Sequence, residues 1–312
     1  MKISIRKSLK QNKLSYLFIY VAKYIIARPI IRIVRHTQIN IRAKYRWYSK
    51  NGKRLQRFKN CKSGKSCVIV GNGPSVRIED LNTFAHLKID SFGANRIIDI
   101  LDQTDWRPTY ICVCDSTFLT GVNNTTTCSK YLEDINKSGV EALFAADYLN
   151  SFFKSNDSKI YYIDFYESGE YSNKVKNFSE DIALYISELG TVTNFSIQLA
   201  VYMGYQKIYL YGMDNSYMKY FGDDGKFHID NSIKSHVSGI KSGDDDRSTE
   251  VLPKNKFEAN FIGGFGDIRK ANIGYSICRE YCDKHGIEIV NITRGGNLDK
   301  FVRGCFDDVF PL

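Results

Sequence analysis

The chain has 312 residues, 43% of them hydrophobic and 25% charged, with a formal net charge of +10. At about 150 residues per domain that length allows one large or two ordinary domains, and the balance excludes a collagenous, low-complexity or disordered chain. Eight cysteines are too sparse for a disulfide scaffold, and no run of about 18 uncharged apolar residues offers a clean transmembrane helix.

The charge is partitioned. Residues 1–65 carry 19 Lys or Arg and no Asp or Glu, leaving 25 of the 44 basic residues against all 34 acidic ones, a net of −9 for the remainder. A basic arm is joined to a mildly acidic body, so the overall basicity does not mark a nucleic-acid-binding domain. In the arm, Leu14–Ala22 and Tyr24–Ala27 flank Lys23, Arg28-Pro29 follows, and Ile30, Ile31, Ile33 and Val34 interleave with Arg32 and Arg35. On a helical wheel Lys10, Lys13, Arg28, Arg32 and Arg35 share an arc of about 100°. A spanning helix would bury Lys23 and Arg28 at roughly 2.5–3.5 kcal/mol each, whereas an interfacial one lets the long basic side chains reach lipid phosphates. No small-residue cleavage pattern follows, which argues against a secretory signal. The basic excess continues over residues 36–65, interleaved with Tyr45, Trp47, Tyr48 and Phe58. The expectation is peripheral binding through residues 1–65 to an anionic cytoplasmic membrane leaflet. A helical arm packed on the body or a partner is the bland alternative. Nucleic acid is not an expected partner, because no nucleic-acid module follows.

From residue 66 onward short β-rich runs alternate with helical stretches, which predicts an α/β, Rossmann-like domain over 66–312: a mainly parallel sheet with helices on both faces. Strands are expected at Cys67–Gly71, Ser91–Ala94, Thr109–Cys114, Ala142–Ala145, Ile160–Ile163, Lys207–Tyr211 and Ile287–Asn291. Helices are expected at Ser129–Lys137, Phe178–Glu188, Asn194–Met203 and Ile268–His285. The polar stretch 215–266 is too long for an ordinary connection and reads as a lid insertion.

The first strand runs into Gly71-Asn72-Gly73-Pro74-Ser75. Two glycines permit a tight turn and close approach of a ligand, Pro74 suits a first helical turn, and free N–H groups there favour a phosphate. The pattern is neither the GxGxxG fingerprint nor a P-loop.

Val68 through Ser75, followed by Gly93-Ala-Asn95-Arg96, resembles the start of bacterial sialyltransferases of the Campylobacter type. It also resembles the domain of unknown function 115, found in flagellin-modifying glycosyltransferases and pterin-diphosphokinase-like proteins. Thr191 through Asp214 resembles the helix–strand unit behind that family's donor site, and Gly286 through Leu298 its carboxy-terminal element. The resemblance spans roughly residues 66–310 and implies transfer of an acidic sugar from a CMP donor to a bacterial surface-glycan acceptor, with inversion and without metal or other cofactor. Sialic acid, Kdo and related nonulosonic acids are equally admissible. The resemblance would also make the arm's leaflet the cytoplasmic face of a bacterial inner membrane. It further implies that Asn72, Asn95, Thr191, Thr193 and Asn194 bind the nucleotide, beside Gly71, Gly73, Pro74 and Ser75 of the turn; Asp214, at a strand end, is placed for a site residue or for capping the following turn. A lid histidine would serve as base, with two tyrosines, here Tyr217 and Tyr220, at the departing phosphate. His228 is favoured over His236 because Phe227 and Ile229 could seat it. This chemistry suits the residue types: a neutral imidazole accepts a proton near pH 7, and hydroxyl donors stabilise a leaving phosphate.

Other constellations read more blandly. Asp244-Asp245-Asp246 satisfies an Asp-x-Asp metal pattern but follows no predicted strand, so a solvated loop is the simpler reading. Cys112 with Cys114, and Cys278 with Cys282, share faces of their elements without forming a zinc-ligand set, as buried reduced thiols do. His285 sits where a helix C-terminus is capped. The rival functions are a metal-dependent UDP- or GDP-sugar transferase, a pterin-type diphosphokinase, and a non-catalytic membrane-docked binding protein.

Overall fold

The structure, a computed structural model, describes residues 37, 41–115, 128–155, 157–166, 178–222, 224, 226–230, 232–234, 236–237 and 266–311. The chain divides into two compact units, Met1–Ser49 and Lys50–Leu312. In the first, residues 41–48 form a helix, α1.

The second unit is built on an eight-stranded sheet. Its strands are β1 (Ser66–Val70), β2 (Asp90–Ala94), β3 (Tyr110–Val113), β4 (Ala142–Ala146), β5 (Ile160–Ile163), β8 (Lys207–Tyr211), β12 (Glu288–Asn291) and β13 (Val302–Arg303). The spatial order is β13-β12-β8-β1-β2-β3-β4-β5, and every pairing is parallel. The expected Rossmann-like α/β sheet is what the chain forms. Parallel strands buried on both faces read as continuous apolar runs: Cys67, Val68, Ile69 and Val70 are all at most 1% exposed. One core joins Val68 and Val70 to α3 (Ile78–Leu87) through Leu81 and Phe84, and to α4 (Cys128–Lys137) through Tyr131 and Ile135. Elsewhere α6 (Val192–Met203), almost wholly buried, packs with α7 (Ile268–Lys284). The short helices α2 (Lys50–Gln56), α5 (Asn150–Phe153) and α8 (Phe306–Val309) complete the frame. Two small sheets are added: β6 (Phe165–Tyr166) with β7 (Ile186–Ser187), and β9 (Lys219–Phe221) between β10 (Phe227–Ile229) and β11 (Gly266–Asp267).

Residues 50–65, read from sequence with the basic arm, lie in the sheet unit. Leu55 is buried, the Phe58 ring meets Phe144 edge-on at 5.0 Å, and the amides of Asn60 and Lys62 donate to Tyr202 and Met203 at 3.0 and 2.8 Å. The predicted helix over Phe178–Glu188 is instead turns and the strand β7. Gln198 competes with the helical ladder: its Oε1 accepts from the amides of Ser179 and Ser187, both at 3.1 Å, and its Nε2 donates to Ser187 O at 3.0 Å. Asp181 closes a local turn onto the Ala183 amide at 2.9 Å, a polar alternative that helix propensity does not weigh.

Candidate active site

In an open parallel sheet, ligands bind beyond the carboxyl ends of the strands where the strand order reverses. Here the order reverses between β1 and β8. Two loops leave the sheet there, Gly71–Ser75 after β1 and Gly212–Asp214 after β8, and they are packed against each other. The Gly71 amide donates to Tyr211 O at 2.8 Å and that of Gly73 to Gly212 O at 3.0 Å. Ser75 Oγ donates to Asp214 Oδ2 at 2.7 Å, and the Ser75 amide lies 3.4 Å from the same oxygen. A Cβ on Gly73 would sit 1.8 Å from Asp214 Oδ2 and 2.6 Å from Gly212 O, while Gly212 itself adopts φ +70°. The glycines therefore serve the approach of one loop to the other.

This changes the reading of the turn as a phosphate cradle. Besides those of Gly71, Gly73 and Ser75, the amide of Val76 donates to Gly73 O at 3.1 Å and that of Arg77 to the Tyr211 hydroxyl at 2.9 Å. The helix starts at Ile78, not Pro74, and its first turn carries Glu79 and Asp80, which disfavour an anion.

What the loops do present are carboxamides. Asn72 Nδ2 donates to Ala94 O at 3.1 Å, which fixes the amide and leaves Oδ1 buried without a partner. Asn95, at the end of β2, has φ +45° and a buried unpartnered Oδ1. Asn215, just after Asp214, has φ +52°, gives Nδ2 to Asn272 Oδ1 at 3.1 Å, and likewise leaves Oδ1 unpartnered. Asparagine tolerates this left-handed backbone through its short polar side chain. A buried acceptor without a donor costs roughly 1–3 kcal/mol, and three such acceptors stand in the segments that follow β1, β2 and β8.

The start of α6 closes the crevice from below. Thr191 caps it, accepting from the Asn194 amide at 3.1 Å. Thr193 Oγ1 donates to Met213 Sδ at 3.1 Å, and the Tyr275 hydroxyl bonds both threonines. Asn194 is wholly buried and gives Nδ2 to Leu189 O at 2.7 Å. Thr193 and Asn194 thus position the helix end, and of the three only Thr191 is part-exposed. Asp214, 8% exposed, has its carboxyl pushed above the usual range by burial, opposed by the Ser75 bonds.

The segment after residue 293, which sequence reasoning matched only as a block, clamps the β8 loop. Thr293 Oγ1 accepts from the Met213 amide at 3.0 Å, and the Asn297 amide donates to Asp214 O at 2.7 Å. Arg294 anchors this segment through Asp80 at 2.7 and 3.0 Å and Asp307 at 2.9 and 2.5 Å. The Arg294 guanidinium holds the Asp307 carboxyl below its usual range. Tyr211, whose hydroxyl donates to Asp80 at 2.5 Å, completes the network.

Past the crevice, the described part of the insertion separates its two histidines. His228 lies on the β9–β10 hairpin, opposite Tyr220 in the register. Its ring stacks on Tyr220 at 5.2 Å, and Nε2 lies 2.9 Å from Asp224 Oδ1, with both side chains at least 40% exposed. That pairing pulls the Asp224 carboxyl down. His236 precedes Val237, which is buried and whose amide donates to Asn72 O at 2.8 Å. The structure thus places the backbone beside His236 against the Gly71–Ser75 loop. Tyr217 is part-exposed on the strand of chain between Asp214 and β9. Asp244–Asp246 lie outside the described residues. Among the described residues no cluster of three His, Cys, Asp or Glu could hold a metal, and no helix is long and apolar enough to cross a membrane. The four paired cysteines are free thiols, and burial raises Cys112 and Cys282 to about 12. His285 caps its helix end, with Nδ1 2.7 Å from Tyr281 O.

Residues 42–219 match the family model described as 6-hydroxymethylpterin diphosphokinase MptE-like. Among solved structures the chain is similar to the structure of MAf glycosyltransferase from Magnetospirillum magneticum AMB-1, with 14% sequence identity and a TM-score of 0.45, covering 81% of this chain and 37% of that one. No curated protein matches the chain.

Proposed function

Since the chain belongs to the 6-hydroxymethylpterin diphosphokinase MptE-like family, we propose that it is a nucleotide-dependent transferase, and that its donor is a CMP-activated acidic sugar passed to a surface-glycan hydroxyl. The observation that carries this reading is the set of buried, unpartnered carboxamide oxygens of Asn72, Asn95 and Asn215 around the switch point. They ask for donors. A cytosine offers an exocyclic amine and its ribose two hydroxyls, whereas uracil offers no exocyclic amine.

The chain's own groups supply the rest of the chemistry. Donor departure leaves charge on a phosphate, and the exposed start of α6 at Thr191 offers backbone N–H groups and a hydroxyl for it. Attack by an acceptor hydroxyl needs a base. The Val237–Asn72 pairing favours His236 for that role over His228, which is engaged with Asp224 and Tyr220 on the hairpin. Tyr217 and Tyr220 remain the candidates to steady the leaving group.

The family description favours a second reading, diphosphoryl transfer from ATP to a pterin alcohol, which calls for a divalent cation. A thermal-shift series separates the two. CMP and CDP at about 100 times their dissociation constants should stabilise the fold by roughly 2.7 kcal/mol with EDTA present. Stabilisation by ATP only with Mg, and none by cytidine nucleotides, would establish the diphosphokinase reading instead. Replacing Asn72 or Asn95 by Asp should abolish the cytidine shift, because a carboxylate beside the ribose and base repels the donor phosphate and alters the acceptor pattern.

A further inference from the structure

We propose that the outward face of α1 docks on an anionic lipid surface; this rests on α1 alone and is independent of the transfer reaction. Ile41, Tyr45 and Tyr48 are 64%, 80% and 68% exposed. At about 100° per residue they fall within an arc of about 60°. Arg42 and Lys44, both exposed, border that arc on its two sides. Ala43, on the opposite side of the helix, is 5% exposed. Trp47, part-exposed, lies within about 40° of Ala43 on the wheel, so the less exposed side carries Ala43 and Trp47 while Ile41, Tyr45 and Tyr48 face solvent.

The chemistry of the face selects its occupant. Tyrosine has an apolar ring and a polar tip, which suits the headgroup level of a bilayer. Lysine and arginine at the margins extend their stems along the apolar stripe and reach phosphates. Ile41, at the middle of the arc, offers a nucleic acid no stacking plane and no hydrogen bond, but it gains from acyl chains. The absence of any acid in the first 65 residues adds the charge complementarity that an anionic leaflet requires.

The test uses the full chain and co-sedimentation with vesicles of phosphatidylglycerol and phosphatidylethanolamine, with phosphatidylcholine vesicles as the uncharged reference. Wild type should bind the anionic vesicles and leave the reference in solution. The triple variant Ile41→Ser, Tyr45→Ser, Tyr48→Ser should bind at least about tenfold more weakly while keeping the wild-type unfolding midpoint. A second readout does not depend on that variant folding. In a Trp47→Phe background, where Trp106 is 1% exposed, Tyr45→Trp should be quenched by brominated lipid in the anionic vesicles. Wild-type binding by the folded triple variant, or bound protein whose Tyr45→Trp fluorescence is not quenched, would overturn the proposal. Retention of RNA, lost in the triple variant and without vesicle binding, would assign the face to nucleic acid instead.

Discussion

Two stretches that leave β8 within twenty residues of each other are built on opposite principles. The Gly212–Asp214 loop is fixed from every side: by the Gly71–Ser75 loop, by Thr293, and by Asn297. The β9–β10 hairpin is held by three cross-strand positions, a two-residue parallel pairing with β11 and an exposed His–Asp pair. The first has no room for one added carbon, whereas the second meets water with its functional side chains. The contrast assigns precision to backbone packing around β8 and leaves the outer hairpin with the lower local stability that movement requires.

The largest expected effect sharpens that contrast within the insertion. His236→Ala should lower turnover with a CMP-sugar about 10²–10⁴-fold, and remove an acid limb from the rate–pH profile, whereas His228→Ala should stay near wild type. Initial rates against pH for both variants decide it, and the opposite ranking would return the base to the hairpin.

Next comes one substitution made twice. Gly73→Ala places its Cβ 1.8 Å from Asp214 Oδ2 and 2.6 Å from a backbone oxygen, and should cost about 3 kcal/mol in urea unfolding. For Gly222→Ala the nearest atoms would be Asp224 Oδ1 and His228 Nε2 at 3.0 Å and His228 Cδ2 at 3.1 Å, all on side chains that can turn aside, so it should cost less than about 1 kcal/mol. Equal costs would erase the distinction between the two regions.

A smaller effect comes from the bond that joins the two crevice loops. Ser75→Ala should cost about 1–2 kcal/mol, because it withdraws a donor from a buried carboxylate. The pH dependence gives its signature. Burial raises the Asp214 carboxyl above its ordinary 3.8, so the native state binds that proton more tightly than the unfolded chain. The contribution of Asp214 to stability is then greatest at low pH and declines as pH rises from 3.8 through the folded value. Asp214→Asn should lack that decline, and Ser75→Ala should extend it to higher pH. Unfolding midpoints of the three proteins between acid and neutral pH measure it.

The smallest effect is on the hairpin pair. Asp224 is depressed by His228, so whatever the pair contributes is present above 3.8 and lost as pH falls through the folded value. Both groups are solvent-screened, and Asp224→Ala should leave the unfolding midpoint at neutral pH unmoved while freeing the His228 ring, which changed imidazole chemical shifts and line widths in a nuclear magnetic resonance spectrum at fixed pH would report.

Strands β1 to β4 were nearly legible in sequence because a parallel strand buried on both faces writes itself as an apolar run, and β5 and β8, only partly buried, were legible to the residue from their isoleucine and tyrosine content. The sequence motif singled out Asn72 and Asn95, whose buried carboxamide oxygens lack a partner, but not Asn215, which shares that feature. Its signal, an asparagine directly after the strand-end aspartate and suited to left-handed backbone, is short and common. The role of the glycines at 71 and 73 was misread toward a ligand, since a sequence cannot say whether the close neighbour is a phosphate or another loop 139 residues away, as Asp214 is from Ser75. The false helix at Phe178–Glu188 failed for a related reason: its competitor, Gln198, lies in a different element.

The neighbours of β8 carry a consequence for synthesis. This strand pairs with β1 on one side and β12 on the other, and its following loop is clasped by Thr293 and Asn297. A ribosome must therefore release nearly 300 residues before the crevice has its second wall, and pairings this distant in sequence form slowly. Until then β8 presents an unpaired apolar edge of the kind chaperones shield. A chain stalled just short of β12 should stay bound to such helpers and bind no nucleotide, so catalytic competence arrives with the last fold of the sheet.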